Sequence, residues 1–259
     1  IIGQPQIVST LKEAVTAAKN SEDISQEMTH AWLFTGPPGS GRSNAAIAFA
    51  AALLCPKNGC NDCIDCVTAQ NGGHIDIELI KTEGLSLKID DIRELLSRSS
   101  WAPSVSGWRV VVMEDADRLT EAAANALLKA IEEPGARTVW LLCAPTITDV
   151  LPTIRSRCRH LLLRTPSQEA IVALLTSRDG IDSKMATFAA RIAQGHIGRA
   201  KYLATNSESR SRRLQILNLP LKINDISAAF RAAATLLELA TQDAESGSEE
   251  RDDKELKSL

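Results

Sequence analysis

The chain has 259 residues, 44% hydrophobic and 24% charged, a composition typical of globular proteins with room for two small domains. Its formal net charge of −3 and sequence pI of about 5.9 argue against a protein that coats nucleic acid through bulk positive charge. No export signal or apolar run of membrane-spanning length is visible, so we expect a cytoplasmic protein with no membrane partner.

Short apolar segments alternate with helical patterns from the start of the chain to about residue 165. In chain order, the patterns predict strands at 31–35, 75–80, 110–113, 139–143 and 161–163, and helices at 89–99 and 122–132. A glycine-rich turn and another long helix follow the first strand. This alternation predicts an α/β fold with a mainly parallel, doubly wound sheet, and we assign it to a domain at 1–165.

The pattern changes after residue 165, where only helical periodicity continues. Helices are predicted at 167–176, 183–194 and 197–205, which we group into a small all-helical domain at 166–206. Residues 207–213 are polar and basic and form a candidate linker, and 227–241 predict one amphipathic helix. The acidic segment 243–259 is poor in apolar residues, so we expect it to be disordered.

A glycine-rich segment, GPPGSGRS at 36–43, stands between the first strand and the following helix. This is the context of a phosphate-binding loop, in which backbone N–H groups and the helix N-terminus surround phosphates. The candidate nucleotide-binding residues are Gly36, Gly39, Gly41, Arg42 and Ser43. ATP or ADP with Mg²⁺ is the candidate ligand, and the alternative is a loop that only shapes the fold.

Two departures from the usual pattern weaken the case for catalysis at this loop. Arg42 stands where the pattern asks for lysine, and a planar guanidinium does not place its charge as an ammonium does. The strand at 110–113 ends in Glu114-Asp115, the reverse of the usual Asp-Glu order. Two carboxylates there still allow Mg²⁺ binding, and the alternative is a strand end with solvated acids. We expect weak or absent hydrolysis.

Four of the six cysteines, Cys55, Cys60, Cys63 and Cys66, lie within twelve residues. Soft thiolate ligands at this spacing favour Zn²⁺ in a closed structural site. The alternatives are two disulfides or a redox-active pair, which are less compatible with a chain that lacks an export signal. His74 follows closely and is expected to pack or hydrogen-bond, since four thiolates already complete a tetrahedron.

Two further segments carry a resemblance to a known family. NALLKAIEEP at 125–134 and Ser156-Arg157-Cys158, taken with the phosphate loop and the opening Ile1-Ile2-Gly3-Gln4, resemble the bacterial clamp-loader branch of the AAA+ ATPases. The likeness covers about residues 1–205. Both segments are rare strings, whereas a phosphate-loop pattern alone is only moderately specific.

The resemblance implies roles for individual residues. Arg157 is implied to be an arginine finger that acts in trans on the ATP of an adjacent subunit, and the alternative is an internal salt bridge. Arg199, in Gly195-His196-Ile197-Gly198-Arg199, is implied to be the sensor 2 arginine, and the alternative is a solvated helix residue. The family usually places Thr or Asn at sensor 1, where this chain has Cys143-Ala144-Pro145.

The resemblance also implies a place in an assembly. A clamp-loader subunit would work in a ring with tau/gamma ATPase subunits and the delta subunit, loading a sliding clamp on primed DNA without polymerising nucleotides itself. A similar zinc module is inserted at the same place in the family. Residues 207–259 accommodate only the first helices of the family's collar domain. The alternatives are an active tau/gamma-type ATPase and a zinc-containing DNA-binding scaffold with an inactive AAA+ domain.

Overall fold

The computed structural model describes residues 2–20, 28–82, 84, 86–99, 103–105 and 107–256. It divides into two compact units, Ile1–Ala170 with Gly195–Ile197, and Ile171–Gln194 with Gly198–Leu259. The strands of the first unit are β1 Ala31–Thr35, β2 Ile77–Ile80, β3 Arg109–Met113, β4 Thr138–Ala144 and β5 Arg159–Leu162. Its helices are α1 Pro5–Asn20, α2 Arg42–Leu54, α3 Ile64–Gln70, α4 Ile89–Ser99, α5 Glu121–Glu132 and the single turn α6 Pro152–Arg155.

The strands form a parallel sheet in the order β2-β3-β4-β1-β5. In the register, Trp32 lies opposite Leu141 of β4 on one side and Arg159 of β5 on the other. The prediction of an α/β fold with a parallel, doubly wound sheet is confirmed. Because β3 and β4 are buried along their whole length, they show continuous apolar runs instead of an alternating pattern.

The core of the first unit lies on both faces of this sheet. Trp32 and Phe34 of β1 face the cluster that contains α1 and α2, whereas Leu33 between them faces the cluster that contains α4 and α5. Phe49 of α2 meets Trp32 edge to face, with ring centroids 5.1 Å apart. Because successive side chains of a strand point to opposite faces, β1 contributes to the core on both sides of the sheet. The packing on both faces holds the strand ends, where the candidate site lies.

The described part of the second unit is helical, as the sequence predicts. Its helices are α7 Gln168–Ser177, which begins in the first unit, α8 Ser183–Ala193, α9 Ile197–Thr205, α10 Ser207–Asn218 and α11 Ile226–Leu256. Two segments differ from expectation. Residues 207–213, interpreted as a linker, lie inside α10, and α11 continues through most of the acidic segment expected to be disordered.

Local hydrogen bonds explain why the polar segment at 207–213 is helical. The Asn206 side chain accepts a hydrogen bond from the Ser209 backbone N–H at 3.0 Å and so caps the start of α10. Arg210 donates to the carbonyl oxygens of Leu203 and Ala204 near the end of α9.

Over the residues that the structure describes, every helix is too short or too polar to cross a membrane.

Candidate functional site

The candidate nucleotide residues of the first unit meet at the carboxyl ends of three neighbouring strands. The glycine-rich loop follows β1, Glu114 and Asp115 follow β3, and Cys143 is the second-last residue of β4. Ligands of open α/β sheets bind at this edge. In the register, Thr35 at the end of β1 lies opposite Ala144 of β4, and Met113 at the end of β3 lies opposite Leu142, so the segments that follow β1 and β3 flank the end of β4. The structure therefore brings the sequence-predicted residues together.

The backbone of the loop has the compact form that phosphate binding needs. A side chain at Gly36 would stand 2.5 Å from the Ser40 Oγ and 2.6 Å from the Leu163 carbonyl oxygen. Gly39 has φ +87°, and a Cβ there would lie 2.8 Å from the Cα of His196. Gly41, with φ 82°, precedes the first turn of α2. The loop is thus closed by glycines, and His196 packs directly on it.

The side chain of Arg42 folds back over its own loop. Its Nη1 donates a hydrogen bond to the Gly36 carbonyl oxygen at 2.9 Å. Its Nε is buried and has no hydrogen-bond partner among the described residues. A lysine in this position reaches forward to phosphate oxygens, whereas the Arg42 guanidinium donates one of its N–H groups to the loop backbone. Arg42 therefore does not reproduce the geometry of the loop lysine.

The other polar groups of the site are also paired within the chain. The Ser43 hydroxyl, a candidate Mg²⁺ ligand, lies close enough to the Cys143 thiol to act on its pKa. Burial raises the pKa of Cys143 to about 12, so this thiol stays neutral. The Glu114 carboxylate lies 3.6 Å from the Lys81 ammonium, and Asp115 accepts from the Thr82 backbone N–H at 3.4 Å. These contacts occupy groups that a hydrolytic site would direct at nucleotide and metal.

The four clustered cysteines converge on one point between two helices. Cys55 ends α2, Cys63 caps the start of α3, and Cys66 lies in the first turn of α3. All four Sγ atoms lie within 4.8 Å of one another, and the Cys55 sulfur is 3.6 Å from those of Cys60 and Cys63. Zn–S bonds of about 2.3 Å in a tetrahedron place sulfurs about 3.8 Å apart. The donor set therefore fits a zinc ion.

The backbone around the cluster turns its amides towards the sulfurs. The N–H groups of Lys57 and Cys60 donate to the Cys55 sulfur at 3.3 and 3.4 Å. Asn58 and Gly59 adopt left-handed conformations with φ 59° and 95°, which the predicted sharp turn requires. Burial acts to raise the pKa of the Cys55 thiol, but the amide hydrogen bonds outweigh it and lower the pKa to about 6.

The geometry of the cysteine cluster shows neither disulfide bonds nor a role for His74 as a metal ligand. Sulfur separations of 3.6 Å are far longer than a disulfide bond of about 2.05 Å. His74 is buried beside the module, where its Nδ1 accepts from the Asp76 backbone N–H at 3.0 Å. Its Nε2 faces the Asp65 carboxylate at 3.4 Å. The prediction that His74 forms hydrogen bonds is confirmed.

Arg157 lies just after α6, on the surface of the first unit. Its Nη2 is 2.5 Å from Oε1 of Glu132, and its Nη1 donates to the Thr153 carbonyl oxygen at 2.9 Å. The side chains of Arg157 and Glu132 are 41% and 46% exposed. The internal ion pair considered for Arg157 is therefore present, but the guanidinium is still accessible from outside the chain.

Two other sequence-predicted elements have distinct placements. The Gln4 amide makes a double contact with the backbone of Arg164, donating to its carbonyl oxygen at 3.1 Å and accepting from its N–H at 3.0 Å. Ile1 lies outside the described residues. Arg199 is exposed on α9 in the second unit, so its sensor 2 role stays a prediction.

Several partners of the candidate residues were not found from the sequence. Lys81 pairs with Glu114, His196 packs on Gly39, and Glu132 pairs with Arg157. Each contact joins residues that are far apart in the chain. The one usable signal is the position of Glu132 inside the NALLKAIEEP segment.

Comparisons with known proteins agree with this geometry. A family model described as "DNA polymerase III, delta subunit" matches residues 4–167. The DNA polymerase III subunit gamma/tau of Mycobacterium tuberculosis is 32% identical over 189 residues, 70% of this chain and 31% of that protein. The DNA polymerase III subunit delta' of Bacillus subtilis is 29% identical over 219 residues, 83% of this chain and 64% of that protein. The chain thus spans less than two thirds of either relative.

A solved structure supports the fold. The RuvB Holliday junction branch migration motor of Thermotoga maritima superposes with a TM-score of 0.55 at 18% identity, covering 91% of this chain and 70% of that chain. At this identity the likeness concerns the fold alone, an α/β domain with a parallel sheet followed by helices.

Proposed function

Because the chain belongs to the DNA polymerase III delta-subunit family, we propose that it is a clamp-loader subunit of the delta prime type. It acts in a complex with tau/gamma and delta subunits that loads a sliding clamp on primed DNA. Within that complex it hydrolyses little or no ATP itself. Its Arg157 completes the ATP site of a neighbouring tau/gamma subunit.

One observation carries this proposal. Polar groups of the candidate nucleotide site are bound to other groups of the same chain, whereas the guanidinium of Arg157 is accessible. Arg42 donates to the Gly36 carbonyl oxygen, Asp115 accepts from the Thr82 backbone N–H, and Glu114 faces Lys81. A hydrolytic site needs these groups on phosphate, Mg²⁺ and water. Arg157 in contrast presents a guanidinium that is 41% exposed.

An arginine supplied to another subunit's nucleotide acts by electrostatics. Negative charge develops on the phosphoryl oxygens during transfer, and a guanidinium held against them accelerates the reaction by ~10³–10⁵ where such fingers have been measured. The glycines of the loop, Gly36, Gly39 and Gly41, still fit phosphates without catalysis. Nucleotide binding by this chain is therefore compatible with the proposal, but efficient turnover is not.

The zinc module has a structural role in this proposal. Cys55, Cys60, Cys63 and Cys66 would hold the ion, which supplies folding free energy and no reaction chemistry when bound. Its ligands join the end of α2 to the start of α3 and so brace the helix that begins at the phosphate loop.

The second candidate is an active tau/gamma-type ATPase, favoured by the 32% identity to the gamma/tau relative. ATP turnover by the isolated chain separates the two. We expect little or no turnover by the wild type, and no gain by Arg42→Lys, because Glu114 and Asp115 keep their contacts with Lys81 and Thr82. Turnover by the isolated chain that is abolished by Arg42→Ala or Glu114→Gln would instead identify a motor subunit.

A further inference from the structure

The guanidinium of Arg157 is held by three acceptors of its own chain. Glu132 Oε1 lies 2.5 Å from Nη2, the Thr153 carbonyl oxygen 2.9 Å from Nη1, and the Ser156 Oγ 3.3 Å from Nη1. A guanidinium has five N–H donors. With one donor used at each contact, two have no acceptor among the described residues and can meet a group outside the chain. The guanidinium of Arg157 is therefore held in place by its own chain while some of its N–H donors stay available.

The position of Glu132 is not explained by helix stability. It is the last residue of α5, where the helix dipole disfavours a carboxylate. An ion pair with both side chains about half exposed also adds little to the stability of the fold. The other two acceptors come from the turn that carries Arg157 itself. In the part of the chain that the structure describes, Glu132 is thus the contact that ties the arginine to α5.

We infer that Glu132 is a positioning residue for Arg157: it holds the guanidinium in the orientation in which it meets the neighbour's ATP. This inference rests on the proposed function. A free arginine side chain samples many rotamers, and ordering it at the moment of reaction lowers the rate. A finger that is already oriented by its own subunit avoids that loss.

Steady-state ATPase of the assembled complex, with clamp and primed DNA, tests the inference. Glu132→Ala should lower kcat roughly three- to tenfold, as ordering one long side chain implies, with the KM for ATP changed less than about twofold. Glu132→Gln keeps an acceptor oxygen and should recover part of the loss. Glu133→Ala, the adjacent exposed carboxylate, is the matched control and should leave turnover unchanged.

The decisive comparison is the double variant. In an Arg157→Ala background, Glu132→Ala should have no further effect, because Glu132 acts only through that arginine. An equal loss in both backgrounds, or an unchanged or raised kcat for Glu132→Ala alone, overturns the inference. If Arg157→Ala itself leaves turnover unchanged, Arg157 is not an arginine finger, and both the proposed function and the inference are wrong. If Arg157→Ala is damaging and Glu132→Ala is harmless, only the inference fails. Unchanged Tm values of the single variants exclude a folding defect.

Discussion

If the cysteine cluster holds zinc as proposed, replacing Cys60 and Cys63 should release the metal and lower the stability of the first unit. Both side chains are only partly buried, so serine can replace them without burying a new polar group. Two of the four thiolates are lost, and a serine hydroxyl is a poor substitute for a soft ligand. The double variant Cys60→Ser/Cys63→Ser therefore isolates the contribution of the metal.

The size of the effect follows from mass action. With free zinc at about 1,000 times its Kd, binding stabilises the folded state by about 4 kcal/mol. In a domain of this size, each kcal/mol corresponds to about 2–4 °C, so Tm should fall by roughly 8–16 °C. The assay pairs metal content by atomic emission with a thermal melt at fixed free zinc.

Cys158→Ser is the matched control, because this cysteine lies outside the cluster. It should retain one equivalent of zinc. A Cys60→Ser/Cys63→Ser protein that keeps its zinc, or melts within about 2 °C of the wild type at the same free zinc, would refute the zinc site.

Other predictions concern the core and the second unit. Phe49→Ala should lower the free energy of unfolding in urea by about 3–5 kcal/mol, because the ring is buried against Trp32 and its removal leaves a cavity. A loss below about 1 kcal/mol would contradict this prediction and would mean that the surrounding side chains fill the cavity. Arg178, with Lys201, holds the pKa of Asp179 below the ordinary value of 3.8. The wild type should therefore be more stable than Asp179→Asn above about pH 4, and the difference should vanish as the pH falls through the lowered pKa; a difference that persists in acid would contradict this account.

Local sequence patterns were sufficient to predict much of the fold. Continuous apolar runs identified the buried strands, since a parallel sheet covered on both faces has no polar side. The cysteine spacing predicted that the four thiols converge, because all four lie in or beside one short segment between two helices. In both cases the residues that determine the structure are close together in the sequence.

The remaining features depend on contacts between distant residues or on capping. The Lys81–Glu114 and Glu132–Arg157 ion pairs exist only once the sheet has formed. The polar segment at 207–213 has almost no apolar periodicity and was interpreted as a linker. It is helical because Asn206 caps its start and Arg210 binds carbonyl groups of α9. Such capping does not appear in a hydrophobic pattern.

ATP turnover of the assembled complex shows whether Arg157 acts on the nucleotide of a neighbouring subunit. The measurement compares wild type, Arg157→Ala and the matched control Arg155→Ala, each combined with tau/gamma and delta subunits, clamp and primed DNA. We expect Arg157→Ala to fold and assemble normally but to lower stimulated turnover by at least about tenfold, whereas Arg155→Ala should be close to wild type. Equal turnover in Arg157→Ala and wild-type complexes would show that Arg157 has no such role.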